Sequence, residues 1–162
     1  MARDLSALLD HTNTVISIDP IGDKAADANG TAAELASFPG VGVCIIAIIG
    51  TSVFTPTTSN MLEIELEESE DDSTYTDVAD ANITRPMLSS DATPVAATNT
   101  GTFAVIDATT RDAHVYSATY LPTSKDITHI RAVLNFSGTV TGGIPVTVII
   151  TQAHPADAPT AQ

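Results

Sequence analysis

Residues 62–78 read LEIELEESEDDSTYTDV, and the opening half decides how the chain is built. Leu62, Ile64 and Leu66 fall on one side of an extended backbone, while Glu63, Glu65 and Glu67 fall on the other. Burying each aliphatic side chain is worth about 1.5–3 kcal/mol. Same-face glutamates lie about 7 Å apart, where repulsion in water is roughly 0.6 kcal/mol per pair and is further screened by salt. Burial outweighs repulsion, so the stretch is expected as a strand whose glutamates line its solvated side.

The rest of the stretch, ESEDDSTYTDV, predicts strand, turn and strand, with Asp72 and Ser73 at the turn, capping backbone amides. Tyr75 and Val78 are expected to rejoin the core. Seven carboxylates occupy the positions from Glu63 to Asp72, yet neither the spacing nor the glycine of a calcium-binding helix-loop-helix is present. At most a weak divalent-ion site across Glu68, Glu70 and Asp72 remains. A paired-carboxylate glycosidase centre needs two acids facing across a cleft with one in apolar surroundings, which a solvated row does not supply.

Outward from this strand, the same period-2 patterning predicts strands at 13–18, 41–49, 102–107, 113–120, 128–136 and 145–151, alongside 61–68. The fold class expected is all-β, an antiparallel β-sandwich, jelly-roll-like, with extended N- and C-terminal arms. The run 41–49 is apolar on both faces and is expected at the centre of a sheet, with Cys44 a small core residue. TVISI and PVTVII alternate more and are expected at sheet margins, and Pro145 opens the last strand, where a missing N–H costs least. The glycines of GTVTGGIP suit a hairpin loop. Helix finds little support: DKAADANGTAAELASFPG is interrupted by Gly30 and ended by Pro39 and Gly40, leaving room for one short turn at 32–36.

The domain organisation follows: an arm at 1–11, one β-sandwich domain at 12–152 containing a long loop at 85–101, and an extended tail at 153–162. A chain of 162 residues fits one core. The tail AHPADAPTAQ has prolines that favour a polyproline-like path and too little apolar mass to pack as an element. The loop RPMLSSDATPVAATNTG has no periodicity and is expected to run over the surface or onto a neighbour.

Twenty acidic residues against six basic ones give a formal charge of −14, which repels nucleic-acid phosphates and anionic lipid. Nucleic acid and membrane are therefore excluded as partners. No apolar run approaches the roughly 20 residues of a spanning helix, and MARDLSALLDH lacks the pattern of a secretion signal. A lone cysteine forms no internal disulfide, as suits a reducing cytoplasm.

His11, His114, His129 and His154 form no metal-ligand motif, no nucleophile elbow precedes a helix, and the Walker lysine is absent. No catalytic, cofactor-binding or metal residue is assigned, and the chain is read as not an enzyme. Arg111 and Arg131 are each expected to pair with one of the many acids, worth about 0–1 kcal/mol on a surface.

LEIELEESEDDSTYTDV, followed by VYSATYLPTSKDITHIRAVLNFSG and GGIPVTVIITQAHPADAP, resembles small virion proteins of tailed bacteriophages, of the head decoration or cement type, encoded near the major capsid protein. Those proteins tend to show a strand ending in acids, a turn and Y-T-D-V, then a tyrosine strand, a lysine turn, an arginine strand and an H-P…A-P tail. The matching positions here are Glu68 through Val78, Tyr120, Lys125, Arg131, and His154 through Pro159. The likeness covers roughly the latter two-thirds of the chain. His129, where an aromatic residue is expected, and the loop from Arg85 to Gly101 depart from the pattern.

The resemblance implies a subunit assembled in the host cytoplasm and placed on the outer surface of the virion capsid. Its partners would be the major capsid protein and its own copies, as a homodimer or homotrimer. Arg85, Pro86, Met87, Leu88, Arg111, His154, Pro155 and Pro159 are the candidate interface residues. The alternative is a receptor- or carbohydrate-binding β module of a phage tail or fibre, which would need a pocket lined with aromatic side chains.

Overall fold

A computed structural model describes residues 12–35, 42–84, 101–122, 124 and 126–153. The expected arm at 1–11, nearly all of the loop 85–101, Lys125 and the tail from His154 onward lie outside them.

Eleven strands account for the described chain: β1 (Thr12–Ile18), β2 (Ala28–Asn29), β3 (Ala33–Glu34), β4 (Val43–Ile49), β5 (Met61–Ser69), β6 (Thr76–Asp77), β7 (Ile83–Thr84), β8 (Ala104–Ile106), β9 (Val115–Tyr120), β10 (His129–Ser137) and β11 (Val146–Ala153). A single 3-10 turn at Asp80–Asn82 interrupts them. The fold is all-β, with two antiparallel sheets facing each other as a sandwich. One sheet has the order β1-β11-β4-β9-β7, and the other is β2-β10-β5-β6, with β3 also on β10 and β8 also on β5.

The patterned strands all form because each has aliphatic residues to bury. Leu62, Ile64 and Leu66 on β5 meet Val43, Ile45 and Ala47 on β4, together with Ile130, Ala132 and Leu134 on β10 and Val148 and Ile150 on β11, in one core between the sheets. Short strands were not legible, because two residues carry no period. β2 and β3 pair with β10 at Val133–Leu134 and at His129–Ile130, and so act as one broken edge strand. The short turn expected at 32–36 is therefore corrected: Ala33 and Glu34 are extended, since the free edge of β10 gives their backbone groups partners.

Three further expectations are corrected. β4 is central, but only its Val43, Ile45, Ala47 and Ile49 side is buried, and Cys44 is exposed on the other. β1 lies at a margin as expected, whereas β11 lies between β1 and β4. The glycine-rich segment 138–145 joins β10 in one sheet to β11 in the other, so it is a crossing loop, not a hairpin. Gly138, Gly142 and Gly143 have φ of 76°, 86° and 73° there, in the left-handed region that suits glycine.

The sandwich is stitched at one side where β1 leans onto the second sheet. A bulge falls between Ile16 and Ile18. The buried Ser17 hydroxyl accepts the Ala132 N–H at 3.0 Å, and Thr31 N–H donates to Ser17 O at 2.8 Å.

Candidate functional site

The two outer faces of the sandwich differ in chemistry. On the second sheet, β5 turns Glu63, Glu65 and Glu67 outward, and β10 sets Asn135, Val133 and Arg131 opposite them in register. Asp77 on β6 lies beside Glu67, and Glu34 on β3 lies beside His129. This face is acidic, with Arg131 as its compensating cation.

The wet row of glutamates is corrected in detail. Glu65 is only 8% exposed and accepts from the Thr102 hydroxyl at 3.1 Å and from the Asn135 amide. Glu67 takes both Nε and Nη2 of Arg131, at 2.7 and 2.6 Å, and the guanidinium also lies 3.8 Å from the Tyr75 ring centroid. Glu68, on the inward side of β5, accepts from the Tyr120 hydroxyl of the opposite sheet. Strand alternation placed these acids on their faces, but the polar partners come from residues 37 to 70 positions away.

At the end of β5 the acid turn folds back. Asp71, rather than the expected Asp72 and Ser73, caps it, accepting from Ser73 N–H at 2.9 Å and Thr74 N–H at 2.8 Å. Those two amides hold the Asp71 carboxyl well below its ordinary range, with the Ser73 and Ser69 hydroxyls adding to them. Asp72 sits at φ 59° and accepts from the Tyr75 hydroxyl. Burial, and then Asp72, push the Tyr75 phenol up to about 12. Val78 rejoins the core as expected; Tyr75 instead covers Arg131 at the surface.

Behind this turn lies a cleft of about 370 Å³ lined by Glu68, Ser69, Glu70, Asp71, Thr74, Thr76 and Ile127. Its lining has no aromatic side chain, which a sugar-stacking site would use. Glu68 points inward to Tyr120 while Asp72 points to Tyr75, so they do not converge on one point with Glu70. Among the described residues no group of three or more His, Cys, Asp or Glu is arranged to hold a metal ion.

The first sheet presents the opposite chemistry. Ile16, Ile149, Ile46 and Ser117 lie side by side across β1, β11, β4 and β9. Beside them run Thr14, Thr151, Cys44, Thr119 and Thr84 on one flank, and Thr147, Ile48 and Val115 on the other. No acid or base occurs in these rows. Ile16, Ile48 and Val115 are 53%, 45% and 40% exposed, which for large apolar side chains marks a face left open. Other exposed large apolar residues among those described, Ile21, Val53 and Leu121, sit singly outside the strands. The reading of 41–49 as buried on both sides hid this face: the apolar run is visible in the sequence, but not that one side has no covering layer among the described residues.

Arg111, a candidate interface residue, lies in the turn before β9 and pairs with Asp107 at 3.1 Å; Arg131, outside that set, pairs with Glu67, and both pairings with acids are as expected. Arg85, Pro86, Met87, Leu88, His154, Pro155 and Pro159 lie outside the described residues.

In comparisons with known proteins, the chain matches no protein-family model, no curated protein and no solved structure.

Proposed function

We propose that the chain is a structural virion protein, a capsid decoration or cement subunit that binds the outer surface of the major capsid protein shell and stabilises the head. One observation carries the reading from the fold: a single sandwich bears an acidic face and an uncharged isoleucine–threonine face on opposite sides. A subunit covering a shell in many copies needs this division. The acidic face stays hydrated and repels stray association, while the uncharged one is free to associate. The resemblance of residues 62–78 and the later strands to phage head proteins supplies the class of assembly.

The order in which the chain alternates between its sheets, with β1, β4, β9 and β11 in one and β2, β5, β6 and β10 in the other, supports a jelly-roll-like wiring. In this reading no catalytic step and no cofactor is assigned. Contacts with the capsid protein come from the loop with Arg85, Pro86, Met87 and Leu88, from Arg111, and from the tail with His154, Pro155 and Pro159. The protein associates with its own copies, makes no nucleic-acid or membrane contact, and is placed on the virion exterior after assembly in the host cytoplasm.

The test is to mix purified protein with expanded, undecorated capsids and image them by electron cryo-microscopy. Stoichiometric density at repeating positions on the outer shell is expected, with occupancy reduced when the chain is cut before His154. Bare shells overturn the reading and favour the tail or fibre module.

A further inference from the structure

We propose that the uncharged face of the β1-β11-β4-β9-β7 sheet is the contact surface for a second copy of this chain, forming a two-fold dimer sheet to sheet. The inference deepens the reading above and rests on its proposal of self-association, but it is tested without capsids so that the two fail separately.

Charge argues for the identity of the occupant. With a formal charge of −14, two copies repel through any surface carrying the carboxylates. A basic partner would seek the Glu63–Glu67 face, and this sheet offers it no acid. Stacking two uncharged faces makes a four-sheet sandwich with the acidic faces outermost. Sheets pack about 10 Å apart, so those faces end about 30 Å from each other, far beyond the Debye length of about 8 Å at physiological salt. Self-contact through this face therefore adds apolar burial while holding the like charges as far apart as the fold allows.

Symmetry agrees, and size sets the strength. The outward residues of these rows, each occupying about 4.8 by 6.8 Å, give a face of roughly 390 Å². Two copies then bury about 780 Å², less than the roughly 1,200 Å² of a standard stable interface, which makes this a weak, concentration-dependent dimer. A flat face that meets its own copy closes as an isologous pair, whereas a trimer needs two different surfaces. The isoleucine row at the centre flanked by threonine gives the apolar middle and hydrogen-bonding margin that such contacts use. Threonine hydroxyls here already bond to each other, as Thr14 does with Thr151 at 2.8 Å.

Cys44, exposed on the central strand of this face, is a native reporter. Sedimentation velocity over a concentration series should show a species of twice the chain mass, strengthened by added salt, which screens the residual repulsion. Maleimide labelling of Cys44 should slow as the dimer fraction rises. Ile46→Glu should shift the protein to monomer with Cys44 labelled at a concentration-independent rate, whereas Glu63→Gln on the acidic face should leave the dimer unchanged. Circular dichroism checks that both variants fold. A wild-type protein that stays monomeric at all concentrations overturns the proposal in either of two ways. Free labelling of Cys44 would leave the face to another partner, and Cys44 protected at every dilution would assign its cover to the chain itself. A dimer untouched by Ile46→Glu also overturns it.

Discussion

The Tyr120 hydroxyl, at the end of β9 in one sheet, donates to the Glu68 carboxylate at the end of β5 in the other, bridging the two layers of the sandwich. Tyr120 is fully buried, so its phenol has exchanged water for this one charged acceptor. Hydrogen bonds to charged groups contribute about 1.5–3 kcal/mol, and Tyr120→Phe should destabilise the fold by that amount in urea titrations. Burial first, then Glu68, raise the Tyr120 phenol far above its ordinary range. A raised folded-state value means that stability is intact below the unfolded tyrosine value of about 10 and falls as pH rises above it. Tyr120→Phe should therefore be less stable than wild type at pH 7 and show a shallower loss above pH 10, leaving the smaller alkaline sensitivity that Tyr75 contributes.

Asp71 behaves with the opposite sign. The Thr74 and Ser73 amides lower its folded-state value, so the stability it contributes is present above the unfolded aspartate value of about 3.9 and lost as pH falls below it. Asp71→Ala should lower the melting temperature at pH 7 and have progressively less effect on going below pH 4. Hydrogen exchange at Ser73 and Thr74 should quicken in the variant. Unchanged exchange at both amides would show that the turn holds without its cap.

Asp77 is placed against its own interest. It sits beside Glu67 in register, and burial and then that neighbour raise its carboxyl above the ordinary value. Like charges directly opposite in a sheet cost roughly 0.2–1 kcal/mol, so Asp77→Asn should stabilise the protein by an amount in that range at pH 7. The gain should shrink as the pH falls and the carboxyl becomes protonated. Chemical unfolding at pH 7 and pH 4 separates this from a general effect of lower net charge, which Asp23→Asn, at an exposed loop position, would reproduce.

Strand existence was legible from alternation because LEIELE, VCIIAII and HIRAVLNF each carry enough apolar period to override local charge. What each face touches was not. Cys44 and Glu65 are the two instructive residues: one is apolar-flanked and exposed, the other is charged and buried. Cys44 is exposed because, among the described residues, no third layer packs on the outer side of its sheet. Glu65 is buried because Thr102 and Asn135, distant in sequence, converge on it. The crossing loop at 138–145 was misread for a related reason. Turn glycines mark where the backbone reverses, and sheet membership depends on which edges are free when the strand arrives. The acidic turn was placed correctly as a turn, but a one-residue difference in cap, Asp71 for Asp72, separates a strongly held carboxylate from one facing Tyr75.

Gly30 gives the sharpest test of the side seam. It lies between β2 and β3 where β1 crosses to β10, and its N–H donates to Ala132 O at 2.8 Å. A Cβ added there would fall 2.3 Å from Ser17 Oγ and 2.8 Å from both Ala132 O and Ser17 O. The two carbonyls belong to packed backbone, and the Ser17 hydroxyl is held by the Ala132 N–H, so none of the three yields freely. Overpacking of this kind costs about 1–3 kcal/mol, and Gly30→Ala should lower stability by at least that much despite the lower unfolded-state entropy of alanine. Pairing it with Ser17→Ala removes the closest contact and should recover only part of the loss, because the carbonyl contacts remain. Full recovery in the double variant would place the strain on the hydroxyl alone, and no loss in Gly30→Ala would mean that β1 can withdraw from the second sheet without cost.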